Sequence, residues 1–438
     1  MSIDVLVVDD AAVARRLVVR AIEADPEIRA LGTAVNGNEA LEMLDGVVPD
    51  LVTLDLEMPG LDGLATLRLL RRRYPRLPVV VVAATSEKGA RQALEALAAG
   101  ANDFVTKPAR VASVEAGLDG LRAQLIPKIK ALHGKSLRQQ ARLADEQEAR
   151  RAAEATRTVQ DARLRRRGRS ADAPDLVAGG SGGTDAPETS TVHPSGTEDA
   201  ATARRTVVPA AAVPVQPAAR RTPHPRSAEP AALPPARRVE IVAIGSSTGG
   251  PQALETLLRP LDRDLGVPVV LVQHMPPTFT RLLAERLDSI CALTVREAAE
   301  GDVVRAGEVL VAPGDVHLTL VRRTDSVVVH LDRRPPENHC RPAVDVLFRS
   351  VAEVYGNRAL GVVLTGMGTD GVHGARALHA AGSPTVVQDE ESSVVWGMAG
   401  AVAAAGLAQQ VLPLTGLPAV LTNAAHRDVV HGTRRASA

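Results

Sequence analysis

The sequence predicts two doubly wound α/β domains, each a parallel sheet with helices on both faces, joined by a long segment that has no core of its own. Three observations carry this. Over residues 1–125, short β-branched runs alternate with helical patterns; the same alternation resumes at Val239; and residues 170–238 hold 11 of the chain's 30 prolines among Gly, Ala, Ser and Thr. Strands alternating with helices give a parallel sheet covered on both faces. A Pro-rich stretch of small residues cannot bury enough surface to offset its own ordering, so residues 170–238 read as a disordered tether. The 438 residues suit two or three domains at ~100–200 residues each. With 51 basic and 51 acidic residues, the chain is not built chiefly to coat nucleic acid or an anionic membrane. One Trp, two Tyr and three Phe leave little for base stacking, and both cores must be aliphatic.

In the first domain, residues 3–8, 50–54 and 79–82 read as buried strands, and 68–73 and 88–99 as helix pieces between them. The charged stretch 135–169 favours helix but lacks a sustained apolar stripe. It carries eleven basic and five acidic residues, which suits a solvated helix or a weak anion-binding arm. Residues 126–238 as a whole are therefore expected to be linker, with the second domain over 239–428. There, 239–244, 267–272 and 359–365 are apolar runs that end in polar loops, while 308–311, 316–321 and 326–331 suggest a small antiparallel insert. Cys291 and Cys340 cannot build a disulfide framework or a Cys-rich metal centre, and no His/Cys spacing suggests zinc. Residues 1–10 lack the pattern of a signal peptide, and no apolar run approaches the ~18 residues a membrane span needs, so the expected setting is cytoplasmic, without membrane insertion.

Chemistry collects at strand ends. Asp9 and Asp10 follow the first strand, Asp55 ends the third, and Thr106, Lys107 and Pro108 follow the last. In a doubly wound sheet these ends share one edge, where ligands bind. Three carboxylates repel unless a cation joins them, and an oxygen-only set suits Mg²⁺. With that charge drawn away, Asp55 can attack a phosphoryl donor. Each Asp alone would more simply cap a helix; the four residues together favour the site. With the loop Met58-Pro59-Gly60-Leu61-Asp62-Gly63 they resemble the receiver domain of two-component response regulators, a flavodoxin-like fold with a five-stranded parallel sheet. The resemblance implies Asp55 as phosphoacceptor, Asp9 and Asp10 with Asp55 as Mg²⁺ ligands, and Lys107 as a phosphoryl contact. One departure stands out: Ala83 occupies the place at the end of strand four where receivers usually have Ser or Thr, leaving Thr85 as the nearest substitute.

In the second domain a strand runs into Gly245-Ser246-Ser247-Thr248-Gly249-Gly250-Pro251 and then a helix. Such a turn presents free N–H groups and a positive helix end, fit either to hold a phosphate or to expose a serine beside oxyanion donors. The next strand ends in Gln273-His274, where a dinucleotide site would need an acidic residue. A third strand leads to Asp370. Ser247, His274 and Asp370 can thus meet on one sheet edge as nucleophile, base and orienting carboxylate. Singly, Asp370 reads as a cap for the helix near Val372, and His274 as a satisfied histidine under Pro276 and Pro277; His373 is a rival base expected to face outward.

The stretches Ile244 through Gly250, Gln273-His274-Met275-Pro276-Pro277 and Leu364-Thr365-Gly366-Met367-Gly368-Thr369-Asp370-Gly371 resemble the chemotaxis protein-glutamate methylesterases, as do Ala312-Pro313-Gly314 and Arg341 through Phe348. The likeness covers both domains, receiver first and a Rossmann-like esterase second. It implies Ser247 as nucleophile, His274 as general base and acid, and Asp370 as orienting carboxylate; the backbone N–H groups near Thr248 and Met367 are our candidates for the oxyanion donors, and no cofactor is expected for the esterase. It also implies hydrolysis of glutamyl methyl esters, and deamidation of certain glutamines, on methyl-accepting chemoreceptors. The implied phosphoryl donor is a sensor histidine kinase, and the unphosphorylated receiver is expected to block the esterase cleft. The competing readings are a receiver-linked nucleotide- or phosphate-binding module without hydrolysis and, ranked last, a transcriptional regulator; the second lacks a DNA-reading helix, so nucleic acid is not an expected partner.

Overall fold

A computed structural model describes residues 2–108, 113–169 and 239–426; the expected tether lies outside them. The first sheet is built from β1 (Ile3–Val8), β2 (Ile28–Ala34), β3 (Leu51–Asp55), β4 (Val79–Ala83) and β5 (Asp103–Thr106), interleaved with α1 (Ala12–Ile22), α2 (Gly37–Gly46), α3 (Gly63–Arg73) and α4 (Glu87–Ala98). Its order is β2-β1-β3-β4-β5 with every pairing parallel. Every residue of β3 and β4 is buried, as a strand covered on both faces requires. Asn36, Asp62 and Ser86 each accept a backbone N–H at the start of α2, α3 and α4 and set where those helices begin. The chain leaves β1 for β2 on one side and reaches β3 on the other, which opens a crevice at the carboxyl ends of β1 and β3.

The last helix of this domain, α5 (Val114–Arg169), does not stop at the domain edge expected at residue 125. Ile129 and Leu132 beyond that point are buried with Leu118, Leu121 and Leu125 in the same aliphatic cluster. Lys128 Nζ also donates to Asp103 Oδ2 (2.6 Å) and Phe104 O (2.9 Å), which ties the helix to β5. The apolar stripe that holds α5 down thus runs about two turns past the boundary that composition suggested.

The second sheet has seven strands. In chain order the elements are β6 (Ile241–Ser246), α6 (Gly250–Leu258), β7 (Val269–Gln273), α7 (Pro277–Ile290), β8 (Thr294–Glu297), β9 (Glu308–Val311), β10 (His317–Arg322), β11 (Val327–Asp332), α8 (Val344–Tyr355), β12 (Ala359–Val363), α9 (Val372–Ala380), β13 (Thr385–Gln388), α10 (Met398–Ala404), β14 (Gln410–Leu412) and α11 (Leu417–His426). The order β14-β13-β12-β6-β7-β9-β8 is parallel throughout. Only β10 and β11 form the antiparallel insert. The expectation that 308–311 belongs to it is corrected: β9 is buried at Val309, Leu310 and Val311 and lies between β7 and β8 in the main sheet. A run that is apolar on both faces needs cover on both faces, which a two-stranded insert does not give.

The two sheets pack in one compact unit. Gln252 Nε2 on α6 donates to Leu97 O (2.9 Å) and Ala101 O (2.8 Å) at the end of α4. Phe104 and Phe279 stack with centroids 4.5 Å apart, and ion pairs join Arg91 to Glu285 and Arg281 to Glu87. Further along α5, Lys135 Nζ donates to Ser393 O and Arg138 pairs with Glu390 at 3.0 Å.

Candidate active site and phosphoacceptor pocket

At the edge of the first sheet, Asp9 and Asp55 are buried while Asp10 is exposed, and ligating oxygens of the three lie within 4.8 Å of one another. Lys107 Nζ reaches both buried carboxylates, at 2.8 Å from Asp55 Oδ2 and 3.2 Å from Asp9 Oδ2. Burial pushes the Asp55 carboxyl above the usual carboxylate range; the Lys107 pair opposes this and the Asp9 charge adds to it. Burial also works against the Lys107 charge, but Asp55 and then Asp9 outweigh it and hold the ammonium above its ordinary value. Asp9 Oδ2 is buried with no hydrogen bond of good geometry. A hard divalent cation fits this donor set: oxygens only, one unsatisfied, one ligand open to water.

Ala83 is buried at the end of β4 and contributes only its carbonyl, which accepts from Lys107 N–H at 2.8 Å. Thr85 does not replace a hydroxyl there. It is exposed, one residue before the Ser86 cap of α4, and among the described residues its side chain bonds to none of the pocket groups. The chain has already turned outward by that point.

In the second sheet, the chain moves from β6 through β7 and β9 on one side, then returns to β12 on the other, so the crevice lies around the end of β6. Ser246 and Gln273 are register partners, which makes Ser247 and His274 neighbours on the sheet edge. The turn is stapled. Ser246 Oγ donates to Gln273 Oε1 (2.7 Å), and Gln273 Nε2 donates to Ser247 O (2.9 Å); Ser246 is therefore a structural hydroxyl. A Cβ on Gly250 would stand 1.8 Å from Gln273 Oε1, so only glycine lets α6 start against that side chain. On the other flank Ser247 N–H donates to Thr365 O (3.0 Å), and Thr365 Oγ1 donates to Thr248 O (2.8 Å). Ser247 is half-buried, and among the described residues its hydroxyl makes no hydrogen bond.

His274 Nε2 and Asp370 Oδ2 are 2.8 Å apart. Asp370 is almost fully buried and saturated with donors: Oδ2 also accepts from Val344 N–H (2.7 Å), and Oδ1 from Asn338 Nδ2 (3.0 Å), Asp345 N–H (2.9 Å) and Gly371 N–H (3.0 Å). Two of those amides open α8, whose positive end favours the charge. Burial works against the Asp370 charge, but the His274 contact and these donors hold its carboxyl below the usual range. Burial likewise opposes charge on the imidazole; the Asp370 bond, then Cys340, outweigh it and push His274 up to about 9. Asp370 thus caps α8, and the expected cap of α9 is supplied by another acid, Asp345. Its Oδ1 accepts from Gly371 N–H (3.0 Å) and Gly374 N–H (2.6 Å). His373 is exposed, and His317 is spent on structure, with Nε2 toward Pro335 O and Nδ1 accepting from Ala343 N–H.

Three residues at this site were not singled out from sequence. Asp345 and Asn338 are two, and Cys340 is the third: its Sγ lies 3.5 Å from His274 Nδ1. Cys340 is separated from His274 by 66 positions and sits in a loop rather than at a strand end, so neither spacing nor periodicity marked it. His274, Cys340 and Asp370 place ligand atoms within 4.8 Å of one another, a grouping that sequence spacing does not suggest.

Comparison with known proteins agrees with this architecture. A CheB methylesterase family model matches residues 242–421, and a response regulator receiver domain model matches residues 5–118. The fold defines a two-domain response regulator whose second domain is of the methylesterase type. A protein-glutamate methylesterase/protein-glutamine glutaminase of Trichodesmium erythraeum is 39% identical over 94% of this chain and 96% of its own length. One from Nocardioides sp. is 40% identical over 97% and 96%. The chain belongs to the protein-glutamate methylesterase/protein-glutamine glutaminase family. The crystal structure of the Thermotoga maritima CheB methylesterase catalytic domain is 43% identical, covering 43% of this chain and 99% of that one, with a TM-score of 0.42. No helix among the described residues is long and apolar enough to cross a membrane.

Proposed function

We propose that this protein is a serine esterase that hydrolyses glutamyl methyl esters on methyl-accepting chemoreceptors and deamidates selected glutamines there, under control of phosphorylation at Asp55. The observation that carries the reading is the 2.8 Å contact between His274 Nε2 and a fully satisfied Asp370, on the same sheet edge as a Ser247 hydroxyl that bonds to none of the described residues. Asp370 keeps a proton on Nε2 and leaves the lone pair on Nδ1, so Nδ1 is the atom that accepts the Ser247 proton. Ser247 Oγ then attacks the ester carbonyl, and the Thr248 and Met367 amides, which donate to no other described group, are the donors offered to the oxyanion. The imidazolium gives its proton to the leaving methoxide oxygen, releasing methanol, or to the leaving amide nitrogen of a glutamine, releasing ammonia. Water, deprotonated by the same nitrogen, frees the carboxylate.

The receiver supplies regulation. Asp9, Asp10 and Asp55 are the residues that would hold Mg²⁺, which when bound neutralises charge around the incoming phosphoryl group. Asp55 takes the phosphoryl group from a sensor histidine kinase, and Lys107 steadies it. The packing of α4 and β5 against α6 and α7 supports a restrained unphosphorylated state. The test is methanol release from methylated receptor: Ser247→Ala is expected to abolish it, and Asp55→Asn to abolish its stimulation by a small phosphodonor. No methanol from the wild type, together with tight nucleotide binding, would replace the esterase with a binding module.

A further inference from the structure

We propose that His274 and Cys340 form a site for a zinc-class divalent cation that switches the esterase off reversibly by occupying the imidazole lone pair. The inference rests on the reading of His274 as the base, and on geometry that reading does not use. Cys340 Sγ and His274 Nδ1 are 3.5 Å apart. With a Zn–S distance of about 2.3 Å and a Zn–N distance of about 2.1 Å, two corners of a tetrahedron are separated by about 3.6 Å. The pair is thus already spaced as the edge of a zinc tetrahedron.

The surroundings of the pair fit as well. A metal-binding histidine usually donates its second N–H to a carboxylate, which fixes the tautomer. Asp370 occupies that place at 2.8 Å from Nε2 and is itself held by Asn338 and three backbone amides. Cys340 is held too: its N–H donates to Glu337 O (2.8 Å), its carbonyl accepts from Glu337 N–H (3.1 Å), and Glu337 is clamped by Arg349 at 2.7 Å and 2.6 Å. The thiol therefore needs no rearrangement to meet the cation. Binding displaces the Cys340 thiol proton to solvent and uses the neutral form of the imidazole. The other thiol is a poor competitor, since burial, then Glu255 and Asp288, push Cys291 up to about 11. With Nδ1 occupied, Ser247 has no acceptor for its proton.

The experiment uses the full chain in a phosphine-reduced buffer with methylated receptor. Zinc chloride is expected to suppress methanol release by about tenfold or more and EDTA to restore it, while Cys340→Ser and Cys340→Ala, each scored against its own metal-free rate, need about tenfold or more zinc for the same suppression. Cobalt(II) gives a readout without turnover: a thiolate-to-cobalt absorption band in the wild type that is missing from Cys340→Ser, with circular dichroism confirming that the variant is folded. Equal zinc sensitivity in wild type and both variants, or no cobalt-thiolate band in the wild type, overturns the proposal. A wild type that shows the band but never releases methanol would leave the metal site standing and remove the esterase reading instead.

Discussion

The two strand-edge sites solve one problem, a buried carboxylate that must stay useful, in opposite ways. In the receiver pocket Asp55 is countered by a single side-chain cation, Lys107, and lies beside two further carboxylates, Asp9 and exposed Asp10, so the charge can be rearranged when a cation and a phosphoryl group arrive. In the esterase Asp370 is balanced by four fixed donors besides the imidazole, three of them backbone amides. One site is poised for change in charge; the other is locked so that only a proton moves. The carboxyl groups respond accordingly, Asp55 lying above its ordinary value and Asp370 below.

If that contrast is right, breaking the locked carboxylate has the largest effect. Asp370→Asn removes the orientation of His274, and kcat should fall by roughly 10⁴-fold in steady-state methanol release. Next comes pH. The base works only when neutral, and with His274 near 9 the neutral fraction grows roughly tenfold per pH unit below that value. The rate should therefore climb about fiftyfold from pH 7 to 9 and about twofold more before levelling off, and in Asp370→Asn any residual inflection should move down toward the ordinary imidazole value of about 6.5. A flat profile across this range would remove the cause assigned to the shift. Asp345→Ala leaves the Gly374 amide without its acceptor and the Gly371 amide with Asp370 alone, and we expect a loss of about 1–3 kcal/mol in denaturant unfolding. The smallest effect is at the domain contact: Gln252→Ala removes one hydrogen bond to α4 and one to the turn that follows it, and should raise the unphosphorylated rate by about twofold to tenfold, taking each bond at about 0.5–1.5 kcal/mol and only part of the docking energy as lost.

Much of the architecture was readable because parallel strands buried on both faces announce themselves as apolar runs, and their polar successors fall at one edge. That logic placed Asp9 and Asp55 at one edge, and Ser247, His274 and Asp370 at the other, without knowledge of any contact. It failed where the deciding partner is remote or where burial is one-sided. Strand β8 alternates and sits at the sheet border, so no run marked it. Cys340 and Asn338 lie in the loop before α8 and reach the site only through tertiary packing. Past residue 125, α5 keeps burying Ile129 and Leu132 after the strand and helix alternation has ended, so alternation does not mark this packing.

The crossed acids of α8 and α9 carry one more consequence. Asp370, at the start of α9, completes the first turn of α8, while Asp345, in the first turn of α8, completes the start of α9. Neither helix can fray at its amino end without stranding the donors of the other. The two should open as a single foldon, with matched hydrogen-exchange rates for the amides of Val344, Asp345, Gly371 and Gly374.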